Sequence, residues 1–286
     1  MPQPVMRYLG LKSDLIQHLL KLGGKNRSYR HSKQTCVVTG TKLVKDLGRR
    51  FHFQQLLCSN ADHPDLEGLQ YDELHLAEPR VLKRLARVHD FDGLIATLPL
   101  PEKLSTWKDL QPRLVLCLEY VEDPHVLGTL LRTAIAFQWQ AVYFLKYCAD
   151  PWDGRCIRSS QGALLDLPYC KGDFQDLLKF CKQKRLMLVT PHHRGESLED
   201  LADRRGVDQS VGFALLLREE YAAPFAPPKD AVKIQVPDPW ENHPLEDGDA
   251  FDMRALDTVI QGGILMHQLG GMLKSSEATL DVKRGD

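Results

Sequence analysis

The chain has 286 residues, 43% hydrophobic and 26% charged, with a formal net charge of −1. That is the balance of a globular chain with room for one large or two medium domains, not of a disordered one. No run approaches the roughly 18 consecutive apolar residues of a membrane span, and residues 1–10 lack the apolar centre of a secretory signal.

The charge is unevenly spread. Residues 1–50 hold eleven Lys or Arg against Asp14 and Asp46, a local balance of +9 that leaves −10 for the rest. A basic front end reads either as a footprint for a phosphate backbone or as a solvated helix face with counter-charges elsewhere. In chain order, Leu15, Ile16, Leu19, Leu20 and Leu22 predict an amphipathic helix over 13–22. The polar stretch 23–35 follows as a loop, with Lys25, Arg27, Arg30 and Lys33 around Tyr29. Cations beside a stacking aromatic suit single-stranded or looped RNA, and these five are the candidate RNA contacts. Strands are predicted over 36–38, 53–59 and 93–101, and helices over 42–47 and 79–88. Together they form a small α/β domain, residues 1–105, joined by a linker over 106–112.

The second half alternates more regularly. Strand candidates span 113–121, 140–145, 186–191, 211–217 and 231–237; helix candidates span 124–137, 157–165, 173–183, 197–205 and 253–273. Val- and Leu-rich strands separated by helices predict a parallel sheet flanked by helices over 113–273, with a polar, frayed tail over 274–286. No G-x-G-x-x-G follows a strand and no P-loop occurs, so the usual dinucleotide and nucleotide sites lose weight. The seven cysteines are scattered, without C-x-x-C spacing, and His192 and His193 lack ligands at metal spacing, so no metal is expected and the thiols read as reduced. The expected compartment is intracellular: cytoplasmic, or an organelle matrix such as the mitochondrial one.

After the first strand of this half, Asp123 suits a helix N-cap and Pro124 the first helical position. Leu127, Leu130, Leu131, Ala134 and Phe137 form one apolar stripe, and Arg132 lies off it. The segment resembles the first motif of the SpoU branch of knotted methyltransferases, D-P-x-N-x-G-x-x-x-R-T-A-x-A-F-G, matched by Asp123, Pro124, Gly128, Arg132, Thr133, Ala134, Ala136 and Phe137. Arg158, Ser160, Gly162, Ala163 and Pro168 resemble a further family stretch, R-x-S-x-G-A-x-x-x-x-P. Residues 37–47 and 93–102 are similar to parts of the family's ribosomal-protein-like substrate domain, so the resemblance covers about 14–273.

The resemblance implies a sheet whose C-terminal portion threads a deep trefoil knot and a homodimer, or a dimer with a related subunit. It implies transfer of a methyl group from S-adenosylmethionine to a ribose 2′-hydroxyl of tRNA or rRNA, in some settings on a ribosomal subunit. It implies Arg132 and Glu220 as catalytic residues. Thr190, Pro191, Leu217, Arg218, Val236, Pro237, Leu256 and Asp257 would line the cofactor, and Arg158 and Ser160 would contact RNA. The chain departs from the motifs at the chemistry: Val126 replaces an asparagine, Arg218 a glycine, Asp257 an asparagine and Val259 a serine, and an acidic stretch over 241–252 is inserted. These departures keep open a second expectation, a catalytically weakened relative that binds RNA in ribosome assembly.

Overall fold

The structure is a computed structural model that describes residues 7–89, 91, 93–101, 110–205, 211–219, 229–236 and 256–284. Contacts divide it into two units, residues 1–102 with 149–166 and residues 103–148 with 167–286.

The first unit runs β1 (Arg7–Leu9), α1 (Asp14–Leu22), α2 (Arg27–Lys33), β2 (Thr35–Thr39), α3 (Thr41–Gly48), β3 (Phe53–Cys58), β4 (Tyr71–Ala77), α4 (Pro79–Ala86) and β5 (Ile95–Pro99). The sheet order is β1-β4-β3-β5-β2. β1, β4 and β3 are parallel, and β5 runs antiparallel to both β3 and β2. Ile16, Leu19 and Leu22 of α1 and Val81, Leu82 and Leu85 of α4 close over Val37, Leu57 and Ile95 of the sheet. The stretch expected as a loop over 23–35 contains a helix. Asn26 caps α2 by accepting from Tyr29 N at 3.0 Å, and Gln34 ends it in the left-handed region at φ 49°. Sequence pattern also passes over β4, whose exposed Asp72 and Glu73 interrupt the apolar alternation.

The second unit begins with β6 (Leu114–Glu119), α5 (Pro124–Ala136) and β7 (Ala141–Phe144). Residues 149–166 then fold with the first unit, contributing α6 (Gly154–Ser160). This corrects the division expected from sequence, which left that segment in the second domain. The second unit resumes with β8 (Tyr169–Lys171), α7 (Phe174–Lys184), β9 (Leu186–Glu196), α8 (Leu198–Arg205), β10 (Gly212–Arg218), β11 (Val232–Ile234) and α9 (Thr258–Arg284). Its sheet is wholly parallel, in the order β11-β9-β10-β6-β7-β8. Every residue of β6 and β7 is buried, as parallel strands covered on both faces must be. α9 runs to Arg284, well past the expected end at Leu273, so the polar tail is helical over most of its length. The inserted acidic stretch and most of the linker lie outside the described residues. No helix among the described residues is long and apolar enough to cross a membrane.

Candidate active site at the carboxyl edge of the parallel sheet

From β6 the chain steps outward to β7 and β8, then returns to place β10 and β9 on the other side of β6. The direction of strand addition therefore reverses between β6 and β10. In open α/β sheets, ligands bind at the carboxyl ends of the strands beside such a reversal. Glu119 ends β6 and Arg218 ends β10, in register with each other.

These two residues form an ion pair, with Arg218 Nη2 2.5 Å from Glu119 Oε2 and both side chains largely buried. Arg218 is thus not a free cation at this edge. Its charge is met by a carboxylate that is itself shielded from water, where the attraction is least screened. Behind it, Glu219 accepts from Glu122 N at 3.3 Å. Burial holds the Glu219 carboxyl above the ordinary glutamate range; the Asp123 and Glu122 carboxylates push the same way, against the backbone N–H groups donated to it. Asp123 caps α5 as expected, accepting from His125 N at 2.6 Å and Val126 N at 3.3 Å.

The start of α9 is fastened to the same edge. Thr258 Oγ1 donates to Arg218 O at 3.0 Å. Asp257 accepts from Val259 N at 2.8 Å and Ile260 N at 2.9 Å, so its carboxylate is the helix cap, and Gln261 Nε2 donates to Leu256 O at 2.6 Å. A Cβ on Gly262 would stand 2.6 Å from Leu217 Cδ1 and 3.0 Å from Leu130 Cδ2, so glycine lets α9 seat against β10 and α5. Trp139 Nε1 donates to Met266 O at 3.1 Å from the far end of α5. On the other side, Thr190 is buried and donates from Oγ1 to Leu216 O at 3.0 Å. The β9–β11 register shifts between Lys233 and Ile234, whose partners are Thr190 and Glu196, so Pro191 to Gly195 bulge from the ladder. At Gly195 a Cβ would come within 2.5 Å of the Ile234 backbone.

Of the residues expected at the cofactor, Thr190, Pro191, Leu217, Arg218, Val236, Leu256 and Asp257 therefore belong to one edge, formed by β9, β10, β11 and the start of α9. Pro237 and Glu220 lie outside the described residues. Sequence pattern does not single out Glu219: it stands next to Glu220 in the chain, and no local pattern distinguishes the two. The edge carries Glu119, Glu122, Asp123, Glu219 and Asp257 against Arg218 and the exposed Lys233, a surplus of negative charge suited to a cationic ligand. Arg132 is exposed on α5 and makes no hydrogen bond or ion pair among the described residues. As the ninth residue of the helix it stands about 12 Å along the axis from the capped end.

The candidate RNA contacts divide differently. Lys25, Arg27 and Lys33 are exposed. Tyr29 is half-buried; its hydroxyl lies 2.7 Å from His18 Nδ1, and Lys21 and Lys33 stand 5.8 and 5.9 Å from its ring centroid. Burial, then Lys33 and Lys21, hold His18 below its usual pKa. Arg30 is a correction, being only 1% exposed. Its Nε and Nη2 donate to Asp150 Oδ2 at 2.8 and 2.6 Å, and its Nη1 to the Leu22 and Gly24 carbonyls. Ser160 is also corrected: it is buried and donates to Ile157 O at 3.1 Å. Arg158 is half-buried and its Nη1 donates to Thr39 Oγ1 and Ala86 O, both at 3.1 Å, so it braces the first unit. Among the described residues no group of His, Cys, Asp and Glu is arranged to hold a metal ion. All seven cysteines are free thiols, and burial pushes Cys36, Cys170 and Cys181 up to about 12.

The model of the SpoU rRNA Methylase family matches residues 113–220, which include β6, α5 and the Glu119–Arg218 pair. Over that segment the chain is similar to the SpoU family. An uncharacterized tRNA/rRNA methyltransferase of Synechocystis sp. is 38% identical over 175 residues, covering 57% of this chain and 63% of that protein. The 23S rRNA (guanosine(2553)-2′-O)-methyltransferase RlmP of Bacillus subtilis is 29% identical over 170 residues, 59% of this chain and 61% of that protein. The chain thus spans less than two thirds of the length of these curated relatives. Among solved structures, the SpoU methyltransferase AviRb of Streptomyces viridochromogenes, in complex with AdoMet, is similar with a TM-score of 0.72 at 17% identity. That match covers 92% of this chain and 99% of AviRb. The AdoMet-bound rRNA methyltransferase of Sinorhizobium meliloti gives 0.70 at 19%, over 94% and 98%. At such identities the likeness is one of fold, and it extends beyond the SpoU domain into the first unit.

Proposed function

We propose that the chain transfers a methyl group from S-adenosylmethionine to a ribose 2′-hydroxyl of tRNA or rRNA. The observation that carries this reading is the carboxylate-rich edge at the sheet's reversal point, inside the segment that matches the SpoU family. The names of the relatives support the reaction class, and the AdoMet complexes of two fold neighbours support the cofactor.

The residues present suit that cofactor. Arg218, which stands where the family has glycine, is turned to Glu119, so its charge is met within the edge. The bulge at Pro191 to Gly195 and the segment after β11, up to Val236, offer backbone groups to a ligand at that edge. Bound there, the cofactor supplies an electrophilic methyl group on a sulfonium. The chain's own task is to position the ribose oxygen in line with that methyl and to favour loss of the hydroxyl proton as the oxygen attacks. Arg132 is the cation assigned to stabilise the developing alkoxide, and Glu220 remains the second catalytic candidate. Val126, at the family's asparagine position, uses only its backbone N–H, which Asp123 accepts. Asp257 keeps an acceptor at the asparagine position and spends it on capping. Both departures have structural roles that do not require lost catalysis.

The finer expectations belong to the same reading: a trefoil knot in the β9–α9 region, a ribosomal-protein-like first unit that engages RNA through Lys25, Arg27, Tyr29 and Lys33, dimerisation, an rRNA target on a ribosomal subunit, and an intracellular compartment. A relative of Danio rerio, 26% identical over 59% of this chain, is named a mitochondrial rRNA methyltransferase, which supports an organelle matrix. The test is calorimetric titration with S-adenosylmethionine, followed by transfer of its labelled methyl group to RNA. Binding in the micromolar range and transfer to ribose are expected, with Arg132→Ala abolishing transfer while RNA affinity stays within about two-fold. No cofactor binding alongside intact RNA binding would overturn the enzyme reading. Full activity in the Arg132 variant would overturn the role given to that residue.

A further inference from the structure

Beyond the edge between β6 and β10, the adjacent strands β6 and β7 leave the sheet side by side, and each is followed by a tyrosine. Tyr120 comes directly after β6, and Tyr147 three residues after β7. Both hold the left-handed backbone conformation, at φ 59° and 58°, which residues other than Gly, Asn and Asp adopt uncommonly. The exits are tied together: Leu145 N donates to Leu118 O at 2.8 Å, Tyr120 N to Lys146 O at 3.0 Å, and Cys148 Sγ to Leu118 O at 3.2 Å. With the backbones so held, the rings stack, with centroids 4.8 Å apart and planes 19° from parallel. Tyr120 is partly buried beneath, while Tyr147 is 61% exposed. Water thus meets a large aromatic side chain that the fold has fixed in orientation rather than left to swing. Lys146, beside it in the chain, is exposed too.

We propose that the Tyr120–Tyr147 stack is a platform for one unpaired nucleobase of the RNA substrate, with Tyr147 as the contacting residue and Tyr120 positioning it. The inference rests on the RNA reading above and assigns part of it to residues outside the motifs. A flat ring backed by a second ring presents a rigid π face, and every base has a matching face, so the contact favours unpaired over paired RNA without reading sequence. Lys146 supplies a cation for the phosphate of the stacked nucleotide. The face is small and planar, and the neighbouring residue in the chain is an exposed lysine. Those features match a base with its phosphate better than an apolar protein segment.

The full chain is titrated with a fluorescein-labelled ten-nucleotide oligoadenylate, with the same oligomer carrying abasic sites, and with adenosine monophosphate. Tyr147→Ala is expected to weaken oligoadenylate binding at least five-fold, within the roughly 5- to 150-fold that one stacked base represents. Tyr147→Phe and Tyr147→Trp should stay within two-fold of the parent, and the abasic oligomer should bind parent and Ala variant alike. Tyr147→Asn, which tolerates the left-handed conformation, repeats the loss without backbone strain, and unfolding midpoints confirm that each variant is folded. Unchanged affinity in the Ala and Asn variants overturns the platform alone, as does an equal loss in Tyr147→Phe, which would assign the contact to the hydroxyl. Equal weakening for adenosine monophosphate would place the base of a small nucleotide there instead and overturn the RNA assignment. A change in oligomeric state with RNA affinity intact would give the face to a second copy of the chain. No RNA binding by the parent protein overturns both this proposal and the reading on which it rests.

Discussion

Replacing Arg30 by methionine separates a structural arginine from an RNA contact. The guanidinium is 1% exposed and its partner Asp150 is 6% exposed at the side chain. Arg30 donates twice to Asp150 Oδ2, at 2.8 and 2.6 Å, and also serves the carbonyls of Leu22 and Gly24 at the end of α1. Methionine fills much of the volume but leaves Asp150 Oδ2 and two carbonyls without the donors Arg30 supplied. Breaking a buried pair from one side costs about 3–5 kcal/mol, because the remaining charge stays desolvated. Against a total of about 5–15 kcal/mol and a urea slope of about 2 kcal/mol per molar, the midpoint should fall by about 1.5–2.5 M. Urea titration followed by circular dichroism measures the shift, and the buried Trp152, whose N donates to Asp150 Oδ1 at 3.2 Å, reports it locally by fluorescence. Adding Asp150→Asn removes the stranded charge and should restore at least half of the loss. RNA affinity of the folded variant should stay within two-fold. An unchanged midpoint, or weakened RNA binding at full stability, would refute the structural role.

Charge removal at the exposed Lys25, Arg27 and Lys33 should do the reverse, lowering RNA affinity and reducing the salt slope by about one per phosphate contact, with the midpoint unchanged. Asp257→Ala removes the acceptor for two N–H groups at the start of α9 and should cost about 1 kcal/mol in chemical denaturation; Asp257→Asn should recover most of it. Glu219 binds its proton more tightly in the folded chain than in the unfolded one. Its contribution is therefore full below the ordinary glutamate range and is lost as pH rises through the raised folded value. Glu219→Gln should flatten that part of the stability–pH curve, and an unaltered curve would remove burial of this carboxyl as its cause.

The parallel sheet and its helices were legible because fully buried strands are written as continuous apolar runs, as in residues 114–119 and 212–217. Asp123 and Pro124 marked the start of α5 because capping chemistry is local. Long-range pairing was not legible. The seven residues of α2, RSYRHSK, carry no apolar stripe and so predict a loop; the inward residue is Arg30, satisfied by Asp150, 120 positions away. For the same reason Arg30 looked like its basic neighbours. Nor does the replacement of a family glycine by Arg218 show that the β6–β10 register puts Glu119 beside it. The stacked tyrosines had no sequence signal, since 27 residues separate two side chains that only strand adjacency unites.

Because residues 149–166 fold with residues 1–102, the front unit is assembled from two separate stretches of chain. An excised fragment ending near residue 105 would lack Asp150, the counter-ion on which Arg30 depends, and Arg158, which braces Thr39 and Ala86. Exchange of this unit between homologues by a single crossover would mate one parent's socket with the other's plug. Recombination that preserves it needs three junctions, one after the front stretch and one on either side of 149–166, so the front unit is not a cassette that a single crossover can move intact.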